Sequence, residues 1–243
     1  MRPFLYSLHN DLTPTLRVIG AVMFGAWTLA YAQIVVTCFR DKTYGLPLAS
    51  IFLNISWEFI FSTNLLAPEE DALVWGNRLW FLVDCILVLQ VFLYGRRTQT
   101  NPWVREHFYA ICVVSILLSG LGLYSFTAYF QDIYGLATSF LMNFAMSILF
   151  IALLFSRPDL KGLPYGAAWT KMLGTLSGAA FCYIWWPMQF SGGTLVRPPG
   201  IPQPPNSYLL YFLYVTIPLI DFLYIYLYRQ RRKELAGYQA TSR

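Results

Sequence analysis

The feature that most constrains this chain is a series of seven apolar blocks, each long enough to cross a membrane as a helix. A membrane-spanning helix needs about 20 predominantly apolar residues. Only 12% of the residues are charged, whereas a soluble domain carries about 25%. The sequence therefore predicts an all-α polytopic membrane protein, a seven-transmembrane-helix bundle that forms one domain over residues 1–243. The predicted spans are 16–39, 46–66, 73–95, 107–129, 135–156, 168–188 and 207–228.

The basic residues between these spans predict how the bundle is oriented. Because successive connections alternate between the two faces, seven spans place 13 of the 17 lysines and arginines on one side. Cytoplasmic loops carry an excess of basic residues, so we expect an outside N-terminus and a cytoplasmic C-terminus. This bias also explains the net charge of +5 without a nucleic-acid partner. The 13 residues are Arg40, Lys42, Arg96, Arg97, Arg105, Arg157, Lys161, Lys171, Arg229, Arg231, Arg232, Lys233 and Arg243.

Three carboxyl groups interrupt the apolar blocks. Glu58 lies in the second predicted span, Asp84 in the third and Asp221 in the seventh. An ionised carboxylate at the bilayer centre costs at least about 2.5–3.5 kcal/mol, so intramembrane acids are candidates for a functional site. Counting residues from the outer end of each span places them about 15, 16 and 20 Å deep. At such similar depths, one shared cavity can hold all three.

Polar and aromatic residues accompany these acids at helical spacing. Asn54 precedes Glu58 by one turn and Trp57 is adjacent, whereas Tyr214 and Tyr224 lie on the helix of Asp221. We expect an aromatic-walled pocket, to which Tyr183 and Trp186 contribute from the outer end of the sixth span. Two alternatives remain open. Tryptophan and tyrosine near span ends also form interfacial belts, and Asp84 can equally be a structural hydrogen-bonding residue between helices.

Several classes of membrane protein lack support in the motifs. The seventh span contains LIDFLYIYLY, which has no lysine for a retinal Schiff base. No DDxxD run for magnesium diphosphate and no HExxH metal motif occurs, so we expect no metal and no cofactor. Two hypotheses remain: acid catalysis on an apolar substrate, or a proton-coupled transporter or lipid-binding membrane protein.

Two segments resemble a known enzyme family. DKTYGLPLASIFLNISWEF (41–59) and PLIDFLYIYLY (218–228) are similar to segments of the small integral-membrane terpene cyclases of fungal meroterpenoid and indole-diterpene pathways, and of their bacterial relatives. The resemblance implies proton-initiated cyclisation of a linear prenyl chain, through protonation of a terminal epoxide or, as in some relatives, of an alkene, with Glu58 and Asp221 catalytic. Asp84 is a secondary candidate. It implies a prenylated apolar substrate and a lipid bilayer as partners. The location would be the endoplasmic reticulum in a fungus or the plasma membrane in a bacterium.

Overall fold

A computed structural model describes residues 13–63, 65, 72–130, 132, 135–191 and 207–241. These residues form α-helices, one short 3-10 helix at Gly95–Thr98, and no strands. The α-helices are α1 Pro14–Asp41, α2 Leu48–Ser62, α3 Ala72–Tyr94, α4 Pro102–Glu106, α5 Phe108–Phe130, α6 Leu136–Ser156, α7 Tyr165–Ser191 and α8 Ser207–Thr241.

Five of these helices are long and apolar enough to cross a membrane: α1, α3, α5, α6 and α8. The chain is therefore an integral membrane protein built of helices. The other two predicted spans also fold as helices, α2 and α7, but neither is among these five. Helix α2 has only 15 residues, or about 22 Å of length. Helix α7 has 27 residues.

Local signals explain where several helices begin and end. The Thr13 hydroxyl accepts a hydrogen bond from the backbone N–H of Leu16 and caps α1, which ends where Lys42 adopts a left-handed conformation with φ 52°. Asp132 caps α6 by accepting hydrogen bonds from the backbone N–H groups of Ala137 and Thr138. These caps satisfy backbone groups that a helix end leaves without partners.

The helices pack as a bundle in which α1 lies along α7, and α2 lies among α3, α5 and α6. Helix α8 packs against both α6 and α7. The α1, α6, α7 and α8 helices therefore surround one interior region. Helix α3 also contacts α1, and α2 contacts α6.

Two connections meet at one end of the bundle, the α1–α2 and the α6–α7 connections. The Gly162 N–H donates to Asp41 Oδ2 at 3.0 Å, and Arg157 donates to the hydroxyl of Thr43 and to the carbonyl of Tyr44. The Tyr228 hydroxyl of α8 donates to the Leu163 carbonyl at 2.7 Å. These hydrogen bonds join the two connections and α8 at one end of the bundle.

Candidate functional site

The first group of buried acids lies between α2 and α3. Glu58 on α2 is 7% exposed and Asp84 on α3 is 1% exposed. Within the described part of the chain, Glu58 Oε2 and Asp84 Oδ2 have no hydrogen-bond partner. The two carboxyl groups are close enough to interact electrostatically. No ion pair neutralises either acid among the described residues, which leaves two carboxyl groups available for proton chemistry.

Asn54 and Trp57 flank Glu58 on α2, but both bind other helices. The Asn54 Nδ2 group donates to the Tyr31 hydroxyl of α1 at 2.8 Å, so it does not hold Glu58. The Trp57 indole N–H donates to Thr138 Oγ1 of α6 at 2.9 Å. The polar side chains predicted beside Glu58 on α2 are therefore buried, and they bind α2 to α1 through Asn54 and to α6 through Trp57.

The second group is an ion pair between Lys171 on α7 and Asp221 on α8. Lys171 Nζ lies 2.7 Å from Asp221 Oδ1, 2.8 Å from Oδ2 and 2.7 Å from Ser147 Oγ of α6. A lysine ammonium has three donors and no acceptor, and three acceptors surround it. The Trp27 ring centroid of α1 is 5.6 Å from the same nitrogen. The geometry is that of an ammonium paired with a carboxylate.

This ion pair corrects the assignment of Lys171 to the cytoplasmic loop charges. Lys171 is 6% exposed and lies seven residues into α7, and Asp221 is 4% exposed. The prediction was wrong because Lys171 is close to the start of its span in sequence, where basic residues usually face water. Twelve of the basic residues named above still support the orientation.

A cavity that is partly open to the surroundings lies next to the ion pair. One end is formed by the α1–α2 and α6–α7 connections, and the other by Lys171, Asp221 and Trp27. The wall is mostly aliphatic and aromatic. Its lining residues are Trp27, Ala30, Tyr31, Ile34, Gly45, Leu46, Met146, Phe150, Leu163, Pro164, Ala167, Ala168, Lys171, Asp221 and Tyr224.

The expected single cavity containing all three acids is not what the structure shows. Asp221 and Tyr224 line the cavity, whereas Glu58 and Asp84 do not. Tyr31 connects the two groups, since its side chain lines the cavity and its hydroxyl binds Asn54. The candidate site therefore has two parts, the Glu58 and Asp84 carboxyls and the cavity beside the Lys171–Asp221 pair, with Tyr31 in contact with both the cavity and α2.

The remaining predicted aromatic residues lie in different places. Tyr214 packs against Phe140 at 4.7 Å between ring centroids, in a separate buried cluster. Tyr183 is 58% exposed and contacts Tyr211, as expected of the alternative in which it faces the membrane interface. The side chain of Trp186 lies outside the described residues.

Sequence reasoning missed Lys171, Ser147 and Tyr31 as site residues. A lysine seven residues inside a 27-residue apolar helix was a usable signal for an intramembrane partner of an acid. Tyr31 follows Trp27 by one helical turn, so the two share a face, and their rings lie 5.9 Å apart. No comparable signal singled out Ser147.

The part of the chain that the structure describes contains no group of three histidine, cysteine, aspartate or glutamate side chains able to hold a metal ion. The binding groups of the site are instead isolated carboxyls, one ammonium, hydroxyls and aromatic faces. Such a set suits an apolar ligand with few polar atoms.

Comparisons with known proteins find fungal terpene cyclases similar to this chain. The chain is 29% identical to terpene cyclase macJ of Penicillium terrestre over 177 residues, covering 68% of this chain and 66% of the relative. It is 26% identical to the Pyr4-family terpene cyclase mfmH of Annulohypoxylon moriforme, covering 86% and 83%. With asnovolin H synthase nvfL of Aspergillus novofumigatus the identity is 26%, covering 92% and 88%. No solved structure matches significantly.

The match to the family extends over nearly the whole chain. The family profile described as Pyr4-like transmembrane terpene cyclases aligns with residues 9–234, which include both groups of buried acids and the cavity. The chain belongs to the Pyr4-like transmembrane terpene cyclases.

Proposed function

We propose that this protein cyclises a linear prenyl chain that carries a terminal epoxide, by protonating the epoxide from Glu58 without a metal ion. The observation that carries the proposal is the buried Glu58 carboxyl, whose Oε2 has no partner among the described residues. An isolated carboxylate in an apolar environment is very costly, so such a group is more stable as the neutral acid. A neutral carboxyl is a proton donor, as general-acid catalysis requires.

Asp84 complements Glu58 as a second carboxyl within electrostatic range. Two neighbouring carboxylates repel each other, so the pair favours retaining at least one proton. We assign the starting proton to Glu58, with Asp84 as the group that keeps it protonated or takes up the proton released at the end. Because interacting groups titrate together, the pair is best treated as one acid.

Asp221 has a different role from Glu58 in this proposal. Its carboxylate is paired with Lys171 at 2.7 and 2.8 Å, so it is not the proton donor. The Lys171 ammonium is not the donor either, since its three N–H groups are already bonded. Together with the faces of Trp27 and Tyr224, the Asp221 carboxylate can stabilise positive charge that moves along the prenyl chain.

The cavity supplies the remaining requirement, protection of the cation from water. Its wall is built mainly from aliphatic and aromatic side chains such as Ile34, Met146 and Phe150. An apolar cavity that excludes water prevents hydrolysis of a reactive intermediate. We infer that the prenyl chain occupies this cavity, with its reacting end near Tyr31 and Asp221.

We further propose seven membrane spans, with the N-terminus outside and the C-terminus in the cytoplasm. Helices α2 and α7 lie where the two additional spans were predicted. The contact between the α1–α2 and α6–α7 connections supports this topology, since a seven-span chain places both on one face. The fungal relatives favour the endoplasmic reticulum membrane. Cysteines introduced at Lys161 and Thr63 should label from opposite sides of sealed vesicles; labelling from one side contradicts the topology.

The decisive experiment incubates membranes containing the protein with prenylated aromatic compounds, with and without a terminal epoxide. The expected product is an isomer of unchanged mass and altered chromatographic retention. Glu58→Gln should lower the rate at least about 100-fold, whereas Glu106→Gln, which changes an exposed glutamate, should not. Equal rates for Glu58→Gln and wild type would show that Glu58 is not the acid. Transport or binding of chemically unchanged substrate would support the alternative hypothesis of a transporter or lipid-binding protein.

A further inference from the structure

Tyr31 lines the proposed substrate cavity and also binds α2, the helix that carries the proposed acid. Glu58 does not line the cavity, whereas Tyr31 does, and the hydroxyl of Tyr31 binds Asn54 one turn before Glu58. Resting on the proposed function, we propose that Tyr31 is a further catalytic residue, whose hydroxyl hands the proton from the Glu58–Asp84 pair to the substrate.

The hydrogen bond to Asn54 leaves the Tyr31 proton available. Asn54 Nδ2 is a donor, so the Tyr31 oxygen accepts this bond, at 2.8 Å. A phenol has one proton and a second acceptor position. The proton is thus free to point into the cavity, and the second acceptor position is free to receive a proton from a carboxyl group. The bond from Asn54 holds the Tyr31 hydroxyl in an orientation in which it can donate a proton into the cavity and receive one from a carboxyl group.

The surroundings of Tyr31 match this role. Its side chain is 8% exposed, and its ring lies 5.9 Å from that of Trp27, which adjoins the ion pair. Its hydrogen-bond partner Asn54 precedes Glu58 by one turn of α2. Tyr31 therefore lines the cavity and binds the helix face that carries Glu58. Transfer from Glu58 needs the carboxyl at hydrogen-bond distance, either directly or through one water molecule.

The proton transfer balances without any co-reactant. As the Tyr31 O–H passes its proton to the epoxide oxygen, the Tyr31 oxygen takes the proton of Glu58, so that Tyr31 stays a neutral phenol and Glu58 becomes a carboxylate. The epoxide C–O bond breaks, its electron pair remains on the oxygen as a hydroxyl, and the nearby alkene π electrons bond to the electron-deficient carbon. Proton loss from the final cation returns one proton to the carboxyl pair.

A purely structural role for Tyr31 is the competing explanation, because its bond to Asn54 joins α1 and α2. The test therefore compares two changes at Tyr31 with a matched control. Tyr31→Phe keeps the ring and removes the hydroxyl. Tyr228→Phe makes the same change at another buried tyrosine, whose hydroxyl binds a backbone carbonyl and which does not line the cavity. Trifluorotyrosine at position 31 keeps the hydroxyl and makes it more acidic.

Rates are measured per folded protein on the substrate that wild type cyclises in a Glu58-dependent manner. We expect Tyr31→Phe to lose at least about 100-fold in rate, Tyr228→Phe to stay within about threefold of wild type, and trifluorotyrosine to change the rate. A Tyr31→Phe rate within threefold of wild type overturns the relay and leaves the Glu58 assignment standing. An unchanged rate with trifluorotyrosine at position 31 also overturns the relay. If Tyr31→Phe fails to fold, the trifluorotyrosine variant alone tests the relay. Full activity of Glu58→Gln would instead show that Glu58 is not the acid, so that the proposed function fails and not only the relay.

Discussion

Replacing Lys171 by methionine tests whether the buried ion pair is charged and whether it serves structure, catalysis or both. Methionine has a similar length and no charge, so the substitution leaves the Asp221 carboxylate without its counter-ion. The lysine and aspartate side chains are only 8% and 5% exposed, and the cavity beside them is lined mainly by apolar side chains, so water replaces the missing ammonium poorly. Removing one partner of a buried ion pair costs about 3–5 kcal/mol, and we expect this loss in the free energy of unfolding.

The double variant Lys171→Met/Asp221→Leu separates stability from catalysis. Buried ion pairs can often be replaced by apolar pairs without loss of stability, so the double variant should regain most of the stability that Lys171→Met loses. It should nevertheless be inactive in cyclisation, because the carboxylate that stabilises the cation is gone. Stability is measured by unfolding the detergent-solubilised protein with SDS, and activity is measured in membranes.

The matched control is Lys161→Met, which changes a lysine in the α6–α7 connection. Lys161 also pairs with an aspartate, Asp159, at 2.9 Å, but the side chains are 62% and 49% exposed. Because exposed pairs contribute little, this variant should unfold as wild type does. The reasoning is refuted if Lys171→Met is as stable as wild type, or if the double variant is as unstable as the single one.

Three further changes test other parts of the structure. Gly45→Ala should cost about 1–3 kcal/mol of stability, because the new methyl group would clash with the backbone oxygen of Gly162, whereas nothing lies within 4 Å of a methyl group at Gly25. Thermal unfolding compares the two alanine variants. Burial raises the pKa of Asp132, so the folded state retains a proton that the unfolded chain releases near pH 4. The stability of wild type should therefore fall relative to that of Asp132→Asn as the pH rises above about 4. Stability profiles that run parallel over this pH range would contradict the prediction. Trp57→Phe should lower stability by about 1–2 kcal/mol through loss of the buried bond to a threonine of α6, and the same change at exposed Trp103 should have no effect in the same assay.

Apolar length was sufficient to locate the helices from the sequence. The predicted spans 107–129 and 135–156 differ by one residue or less from the bounds of α5 and α6. Helix α2 ends earlier than predicted, at Ser62, and α8 continues to Thr241, well past the predicted end at 228. Helix length is set by backbone caps and by water-exposed extensions, which hydropathy does not detect.

The arrangement of the site was less predictable, because counting residues measures depth and not direction. Glu58 and Asp221 were placed at similar depths, but of the two only Asp221 lines the cavity. Which side chains share a cavity depends on packing across the bundle, and a single sequence does not record it. Asn54 illustrates the difference. Its helix face was predicted, whereas its partner Tyr31 could be identified only once α1 had been placed beside α2.

The ion pair between α7 and α8 also has a consequence for how the protein is made. Lys171 is synthesised 50 residues before Asp221, so α7 reaches the membrane before its acidic partner exists. In the seven-span topology proposed above, α7 inserts with a lysine as its seventh residue, which costs up to about 2.5–3.5 kcal/mol, the value for the centre of a membrane helix. Among the described helices, α7 is not one of those that qualify as spans by length and hydropathy. Stable insertion of α7 therefore depends on the later arrival of α8, and a chain truncated before Asp221 should leave α7 poorly inserted.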